Sequence, residues 1–270
     1  MPGITVLFWN VNRSPLDERV GRVVASERVD IVMLAEPDAP AADLAVRLGQ
    51  LTGDPFVVVD GSADRFTICS RLPRRSLRLQ FSADRWLIYR LVLDPIPELL
   101  VALAHLPSKL HAAGETQTLA VAELVADIAR AERRRKHQST VVVGDMNMNP
   151  FEAGVAGAGG LHGVMSAAVA ARASREIQGR EYQLFYNPMW SVMGDRSLGP
   201  PGTFYRSAAE AVNYYWNTYD QVLLRPELAD RLKRLDVLSS DGVESLMTRT
   251  GLPDVANGSD HLPLLFCLEW

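Results

Sequence analysis

The chain has 270 residues, 47% of them hydrophobic and 22% charged, which is room for one large α/β domain and excludes a disordered or fibrous polypeptide. A net charge of -4 and a pI of about 5.8 provide no global basic field. That argues against a passive polyanion binder, though little against an enzyme whose bound metal ions add positive charge that the formal sum omits.

The opening MPGITVLFWNVNR has no basic segment followed by a long apolar run, so no secretory signal is expected. No apolar run approaches the ~20 residues that span a bilayer. A cytoplasmic location and no membrane partner are therefore the expectation. ITVLFWN predicts a strand. Ser14 and Pro15 then read as N-cap and first position of a helix, with Asp17 and Glu18 in its first turn. IVMLAE is nearly all apolar and predicts a strand buried on both faces. A second helix is expected from Ala41 to Leu51. FVVVD, RFTICS, SLRLQF and RWLIYRLVL, punctuated by Gly, Asp and Pro, predict an antiparallel stretch of four strands. LLVALAHL is a further buried strand. From about Glu115 to Arg135, Val121, Leu124, Val125 and Ile128 fall at i, i+3, i+4 and i+7, which is a helical period. The closing RRRKH puts positive charge at that helix's C-terminus, where the macrodipole favours it. STVVVGDMN predicts a strand ending at Gly144, and the Gly- and Ala-rich segment from Gly154 to Gly163 a loop opening a short helix. Strands are expected again at TFYR, YDQVLL, LDVLSS and LPLLFCLEW. With no linker dividing the chain and strands in both halves, a single domain over 1–270 is expected. Cys69 and Cys267 lie in apolar runs and read as small buried hydrophobes. Two cysteines cannot build the usual thiolate zinc site.

Polar residues recur just beyond these apolar strands. Asn10 ends the first and Glu36 the second. His105 closes LLVALAH, and Asp145 and Asn147 close VVVGDMN. Asp220 opens YDQVLL, and Asp260 and His261 precede the final strand. Any one of them could simply begin a loop. If the strand continued, Asp145 and Asn147 would share one side. FWN, LAE, AHLPS, GDMN, YDQVLL and SDHLP, in this order from residue 8 to residue 263, resemble the ordered motifs of the endonuclease/exonuclease/phosphatase superfamily. GDMN and SDH, well separated and in the right order, are the specific part of that resemblance.

The resemblance implies an α/β fold, a four-layer α/β/β/α sandwich of two mixed sheets flanked by helices. It also implies hydrolysis of a phosphodiester with Mg2+ or Mn2+, most readily in DNA, by an endonuclease or exonuclease. A hard cation needs oxygen ligands, and usually only one or two carboxylates. By resemblance Glu36 is the principal metal ligand, with Asn10 and Asp260 beside it. His261 acts as base or contacts the phosphate, and Asp220 orients it. Asp145 holds or deprotonates the attacking water, and Asn147 donates to a non-bridging oxygen. His105 fills a slot that is His in deoxyribonuclease-like members and Tyr in exonuclease III-like members. Asn12 stands where abasic-site enzymes often have Asp.

Lys109, Tyr205 and Arg206 are candidate substrate contacts. Trp190, Tyr214, Tyr215 and Trp216 are expected either to stack bases or to fill the core. Arg71, Arg74, Arg75 and Arg78 read as a solvated face, and His111, His137 and His162 as surface or loop residues. A small-molecule or lipid phosphoester substrate, as in the sphingomyelinase and inositide branches, is the alternative. A catalytically dead binding protein is a third reading, opposed by the presence of every expected polar residue. No obligate protein partner is implied.

Overall fold

The uninterrupted apolar runs at the start of the chain form strands with no solvent-facing side. In the computed structural model, which describes residues 2–61, 65–109, 114–209 and 211–270, the elements run in chain order as follows. The first part comprises β1 (Gly3–Asn10), α1 (Asp17–Glu27), β2 (Ile31–Ala35), α2 (Ala41–Thr52), β3 (Val57–Val58), β4 (Phe66–Ser70), β5 (Leu77–Ser82), β6 (Trp86–Leu93) and β7 (Ile96–His105). There follow α3 (Gly114–Arg135), β8 (Thr140–Asp145), α4 (Ala153–Ala156), β9 (Gly163–Val164), α5 (Ala167–Ala170), β10 (Ser174–Ile177), β11 (Arg180–Gln183) and β12 (Phe185–Tyr186). The last are β13 (Phe204–Tyr205), β14 (Trp216–Asn217), β15 (Asp220–Leu224), β16 (Leu232–Val237) and β17 (Leu264–Glu269).

Two mixed sheets carry the fold. One has six strands in the order β16-β17-β1-β2-β4-β3, the other seven in the order β5-β6-β7-β8-β15-β12-β9. β1 runs parallel to β2, and β7 parallel to β8. The period-2 alternation of strand side chains divides the second sheet's residues between two cores. Leu91, Leu99, Val101 and Val141 meet Ile4, Val6, Ile31, Phe266 and Leu268 of the first sheet. Their neighbours Ile88, Leu100, Ala102 and Val142 pack instead with Val121, Leu124 and Ile128 of α3. The inter-sheet core continues into α1 and α2 through Val20, Val23, Val24, Leu44 and Leu48. Helix, sheet, sheet and helix thus make the four-layer sandwich the motifs implied.

Several sequence expectations need correction. The first helix starts at Asp17 and its N-cap position is Leu16, not Ser14. The residues before it are spent on a turn: Asn12 and Arg13 adopt left-handed φ of 47° and 52°, and the Arg13 N–H donates to the Glu36 carbonyl at 2.8 Å. The helix begins only where Leu16 enters the core. The expected four-stranded stretch is split, with β3 and β4 edging the first sheet and β5 and β6 the second. Each half is antiparallel as expected, but the Ser70–Leu77 connection changes sheets. Of LDVLSS only Leu235, Asp236 and Val237 are strand, the end of β16, which starts at Leu232. Cys69 is fully buried, and burial pushes its thiol up to about 12. Cys267 is only half-buried.

Among the histidines, His162 is buried rather than superficial, its Nδ1 3.2 Å from the Gln183 carbonyl. His137 is half-buried beside Glu98. His111 lies outside the described residues. The arginine-rich end of α3 does more than face the helix dipole, because Arg135 binds Glu98 of β7 through both Nε and Nη2. No helix among the described residues is long and apolar enough to cross a membrane.

Candidate functional site

Strand register gathers the polar residues at one end of the sandwich. β1 and β2 stop together with Asn10 opposite Ala35, so Glu36 emerges beside Asn10. In the second sheet His105 pairs in register with Asp145, and Asp145 with Asp220. Gly144 makes the first of these pairings possible. Its φ is 148°, and a Cβ there would lie 1.8 Å from the Ala104 carbonyl oxygen. The glycine of GDMN is thus required by the close approach of β7 and β8.

Side-chain contacts run without a break through the cluster. Asn10 Nδ2 donates to Asp145 Oδ2 at 3.1 Å. His105 Nε2 lies 3.5 Å from Glu36 Oε1 and 3.7 Å from Asp145 Oδ2. His261 Nε2 is 4.0 Å from the same Asp145 oxygen, and His261 Nδ1 is 2.8 Å from Asp220 Oδ2. The Ser259 hydroxyl ties the ends together, donating to the Asn10 carbonyl at 2.7 Å and lying 3.3 Å from Asp260 Oδ1.

Burial sets the electrostatics. Asp145 is pushed above the usual carboxylate range by desolvation, with His261 opposing the shift and Asp220 adding to it. Burial also favours neutral His261, but Asp220, Asp145 and Asp260 outweigh it and hold this imidazole up to about 10. His105 shifts downward, because desolvation prevails over Asp145 and Arg65, His261 and Arg85 also repel its proton. The site therefore contains one imidazolium and one neutral imidazole on either side of Asp145.

The donor set fits a hard divalent cation. Two carboxylates, from Glu36 and Asp145, converge on one imidazole nitrogen, and Asn10 and Asp260 join them through the Asn10–Asp145 hydrogen bond and the Ser259 hydroxyl, which gathers oxygen donors of the kind such an ion takes. Glu36 is the more open, its side chain 30% exposed, which leaves room for water or substrate oxygens. Asp145, Asp220 and His261 also bring one ligand atom each within 4.8 Å. An ion there would compete with the Asp220–His261 hydrogen bond, so the Glu36 side is the better cradle.

Other expected residues sit differently from their reading in sequence. β8 ends at Asp145, and Asn147 turns away with φ 51°. Its backbone N–H donates to Asp145 Oδ1 at 2.8 Å, and its side-chain amide donates to the Leu106 carbonyl at 3.0 Å. One of its amide N–H groups is thus committed to structure. Lys109 stands on an exposed turn, where its ammonium pairs with Glu152 and lies 5.4 Å above the Tyr219 ring. Tyr205 packs against Tyr215 and Trp216, and the Arg206 N–H donates to the Tyr215 carbonyl. Their neighbour Phe204 is the residue that reaches the centre, with its ring 4.6 Å from that of His261. Trp216 joins the core, whereas Tyr214 and Tyr215 are exposed.

Several positioning residues escaped sequence reasoning. Trp9 Nε1 donates to the His261 carbonyl at 2.8 Å, and Thr203 Oγ1 accepts from the Asp220 N–H at 3.1 Å. Asn149 Oδ1 accepts from the Thr218 N–H at 2.8 Å, and its amide donates to Asn217. Trp9 and Thr203 lie inside FWN and TFYR and Asn149 two residues past GDMN, but nothing in those motifs marks their positioning role. A cavity of about 480 Å³ lies elsewhere, between the end of α3 and the β10–β11 hairpin, and is lined by Glu132, Arg133, Tyr182, Phe185 and Arg225.

The model of the Endonuclease/Exonuclease/phosphatase family matches residues 7–261. No curated protein matches the chain. Among solved structures, D. rerio TDP2 complexed with single-strand DNA product is 13% identical, with 100% of each chain covered and a TM-score of 0.58. ANGEL2, a 2′,3′-cyclic phosphatase in complex with adenosine-2′,3′-vanadate, is 17% identical over 99% of this chain and 96% of its own, with a TM-score of 0.60. The endonuclease domain of TRAS1, a telomere-specific non-LTR retrotransposon, is 12% identical over 99% of both chains, with a TM-score of 0.53. At these identities the likeness shows a shared fold.

Proposed function

The chain belongs to the endonuclease/exonuclease/phosphatase family, and from that premise we propose that it is a divalent-metal-dependent phosphodiesterase acting on nucleic acid, with DNA the preferred substrate. One catalytic domain spanning 1–270 does the work, in a reducing cytoplasm. The observation that carries this reading is the unbroken contact series Glu36–His105–Asp145–His261–Asp220, at the ends of β2, β7, β8 and β15 and just before β17.

A phosphodiester resists attack because its anionic oxygens repel nucleophiles. Mg2+ or Mn2+, held by Glu36 with Asn10 and Asp260, would neutralise that charge and lower the pKa of bound water. The protein's own groups supply the rest. Asp220 accepts the Nδ1 proton of His261, fixing its tautomer and supporting the charged form. Nε2 then presents a proton to phosphate or leaving oxygen on the side facing Asp145. Asp145, with its proton affinity raised by burial, holds the attacking water and takes its proton. His105, kept neutral, can donate a hydrogen bond without a fixed charge. Asn147 steers a non-bridging oxygen with its remaining amide N–H. Tyr205 and Arg206 sit beyond Phe204 as contacts for the strand leaving the centre, and Lys109 adds a partly neutralised charge on the Glu152 side.

The net charge of -4 favours a second reading, hydrolysis of a small-molecule or lipid phosphoester. The deciding experiment offers circular DNA, linear DNA, RNA, abasic duplex and a chromogenic bis-phosphodiester in parallel, with Mg2+ or Mn2+. Turnover of the polymers, lost in Glu36→Ala while the variant stays folded, is expected. Turnover that survives exhaustive EDTA treatment refutes the metal role, and turnover of the small diester alone refutes the nucleic-acid reading.

A further inference from the structure

Positive charge around the centre is unevenly compensated. On the Asn147 side, Lys109 is neutralised by Glu152. On the Glu36–His105 side stand Arg65, just before β4, and Arg85, just before β6. Their backbones hold the metal-side residues in place. The Arg65 carbonyl accepts the Glu36 N–H at 3.1 Å, and the Arg85 carbonyl accepts the His105 N–H at 2.9 Å. Their guanidinium groups share one carboxylate, Asp84, at 3.4 Å from Arg65 and 3.8 Å from Arg85, and Asp84 is 77% exposed. Among the described residues, two guanidinium groups thus face one weakly held, solvent-screened carboxylate. Each arginine side chain is about one-third exposed, at 32% and 33%. Arg65 Nε is buried without a hydrogen-bond partner. Arg13, 4.0 Å from Glu36 and 79% exposed, extends the arc. Both Arg65 and Arg85 are close enough to His105 to repel its proton.

We propose that Arg65 and Arg85 form a second phosphate subsite on the Glu36–His105 side, taking a phosphate group additional to the one that reacts. Guanidinium groups match phosphate oxygens through paired N–H donors. A pair that shares a single exposed carboxylate among the described residues suits a ligand that arrives carrying more than one phosphate. The proposal rests on the nucleic-acid reading and sharpens it: the strand crosses from the arginine pair, over the carboxylate centre, to Phe204 and Tyr205. It also explains how a protein with net charge -4 attracts a polyanion, through a local positive field rather than a global one.

Binding is measured by fluorescence anisotropy of a labelled single-stranded oligonucleotide, in EDTA, as a function of salt. Each phosphate neutralised on a single strand contributes about -0.7 to the slope of log K against log[salt]. Arg65→Gln and Arg85→Gln are each expected to flatten the slope by about 0.7, and the Lys variants to retain it. Asp84→Asn should tighten binding several-fold, a gain that misfolding cannot produce. Unchanged slopes in both Gln variants, or an Asp84→Asn protein that binds no more tightly, would overturn the subsite. A second arm uses inhibition of diester hydrolysis by a nucleoside 3′,5′-bisphosphate and by the corresponding monophosphates. The bisphosphate is expected to be at least about ten-fold the stronger inhibitor, an advantage lost in Arg65→Gln/Arg85→Gln and equivalent to about 1.4 kcal/mol. Equal inhibition in the unmutated protein counts against the subsite. Absence of any hydrolysis overturns the catalytic reading instead, and leaves the anisotropy result to stand alone.

Discussion

Replacing Asp220 by Asn removes the main charge that keeps His261 protonated, and the consequence can be worked out as a function of pH. His261 Nδ1 lies 2.8 Å from Asp220 Oδ2 inside the protein, and Asp220 with Asp145 and Asp260 lifts the imidazole from 6.5 to about 10 against the pull of burial. The folded state therefore binds this proton more tightly than the unfolded chain. The resulting stability is fully present below 6.5 and is lost as pH rises through about 10. Integrating between these two values, at 1.36 kcal/mol per pKa unit, makes the linkage worth roughly 5 kcal/mol at pH 6, roughly 3 kcal/mol at pH 8 and almost nothing above pH 10.5. In Asp220→Asn the largest charge opposing burial is gone, and with only Asp145 and Asp260 left to oppose it the imidazole holds its proton far less tightly. Most of that stability disappears at pH 6 and pH 8, whereas the variant and the unmutated protein converge above pH 10.5. Urea unfolding of both proteins in EDTA at pH 6, 8 and 10.5 reads this directly. A difference that does not shrink with rising pH would show that the imidazolium is not what Asp220 stabilises. The same variant should lose about 10²–10⁴-fold in kcat, the range for general acid–base groups. Because the pair acts as a unit, adding His261→Ala should scarcely deepen the defect.

Gly144→Ala should destabilise by about 3 kcal/mol or more, because the new Cβ meets the Ala104 carbonyl at 1.8 Å on a backbone with φ 148°; a melting temperature within a degree of the unmutated protein would refute that register argument. Glu132→Ala leaves Arg225, buried beneath the β15 end, without its two-bonded carboxylate and should cost about 3–5 kcal/mol in urea unfolding with the active centre untouched; a loss under 1 kcal/mol would mean that water reaches this pair. Tyr205→Ala with Arg206→Ala should raise KM on DNA, leave the melting temperature nearly unchanged and spare a small chromogenic diester; a sharp drop in melting, or equal damage to both substrates, would make β13 a support for Phe204 alone.

The centre of this fold was legible in the chain because burial leaves a direct signature. FWN, IVMLAE, LLVALAH, VVVGD and DQVLL are mostly apolar, as strands buried on both faces require, and each carries a polar residue at the end that faces the site, buried in every case but Glu36. The α3 period was equally plain, and Val121, Leu124 and Ile128 do face the second sheet. What local sequence could not determine is which strands pair. β4 and β5 look like one antiparallel run, yet they belong to different sheets, since pairing depends on partners far along the chain. Ser14 and Pro15 have the chemistry of a helix start, but the turn at Asn12 and Arg13 is drawn to the Glu36 backbone and delays it. The same limit governs the site. Its carboxylates, histidines and asparagines are conspicuous by type and position, whereas Arg65, Arg85, Phe204 and Trp9 are ordinary residues. Their importance arises only when β4, β6, β13 and β1 end within reach of one another. Lys109 shows the converse: a cation well placed in sequence is claimed by Glu152, 43 residues away. Strand identity and the list of polar groups are local properties of the chain. Their neutralisation, protonation and register depend on contacts between distant segments, and those exist only once the two sheets have packed.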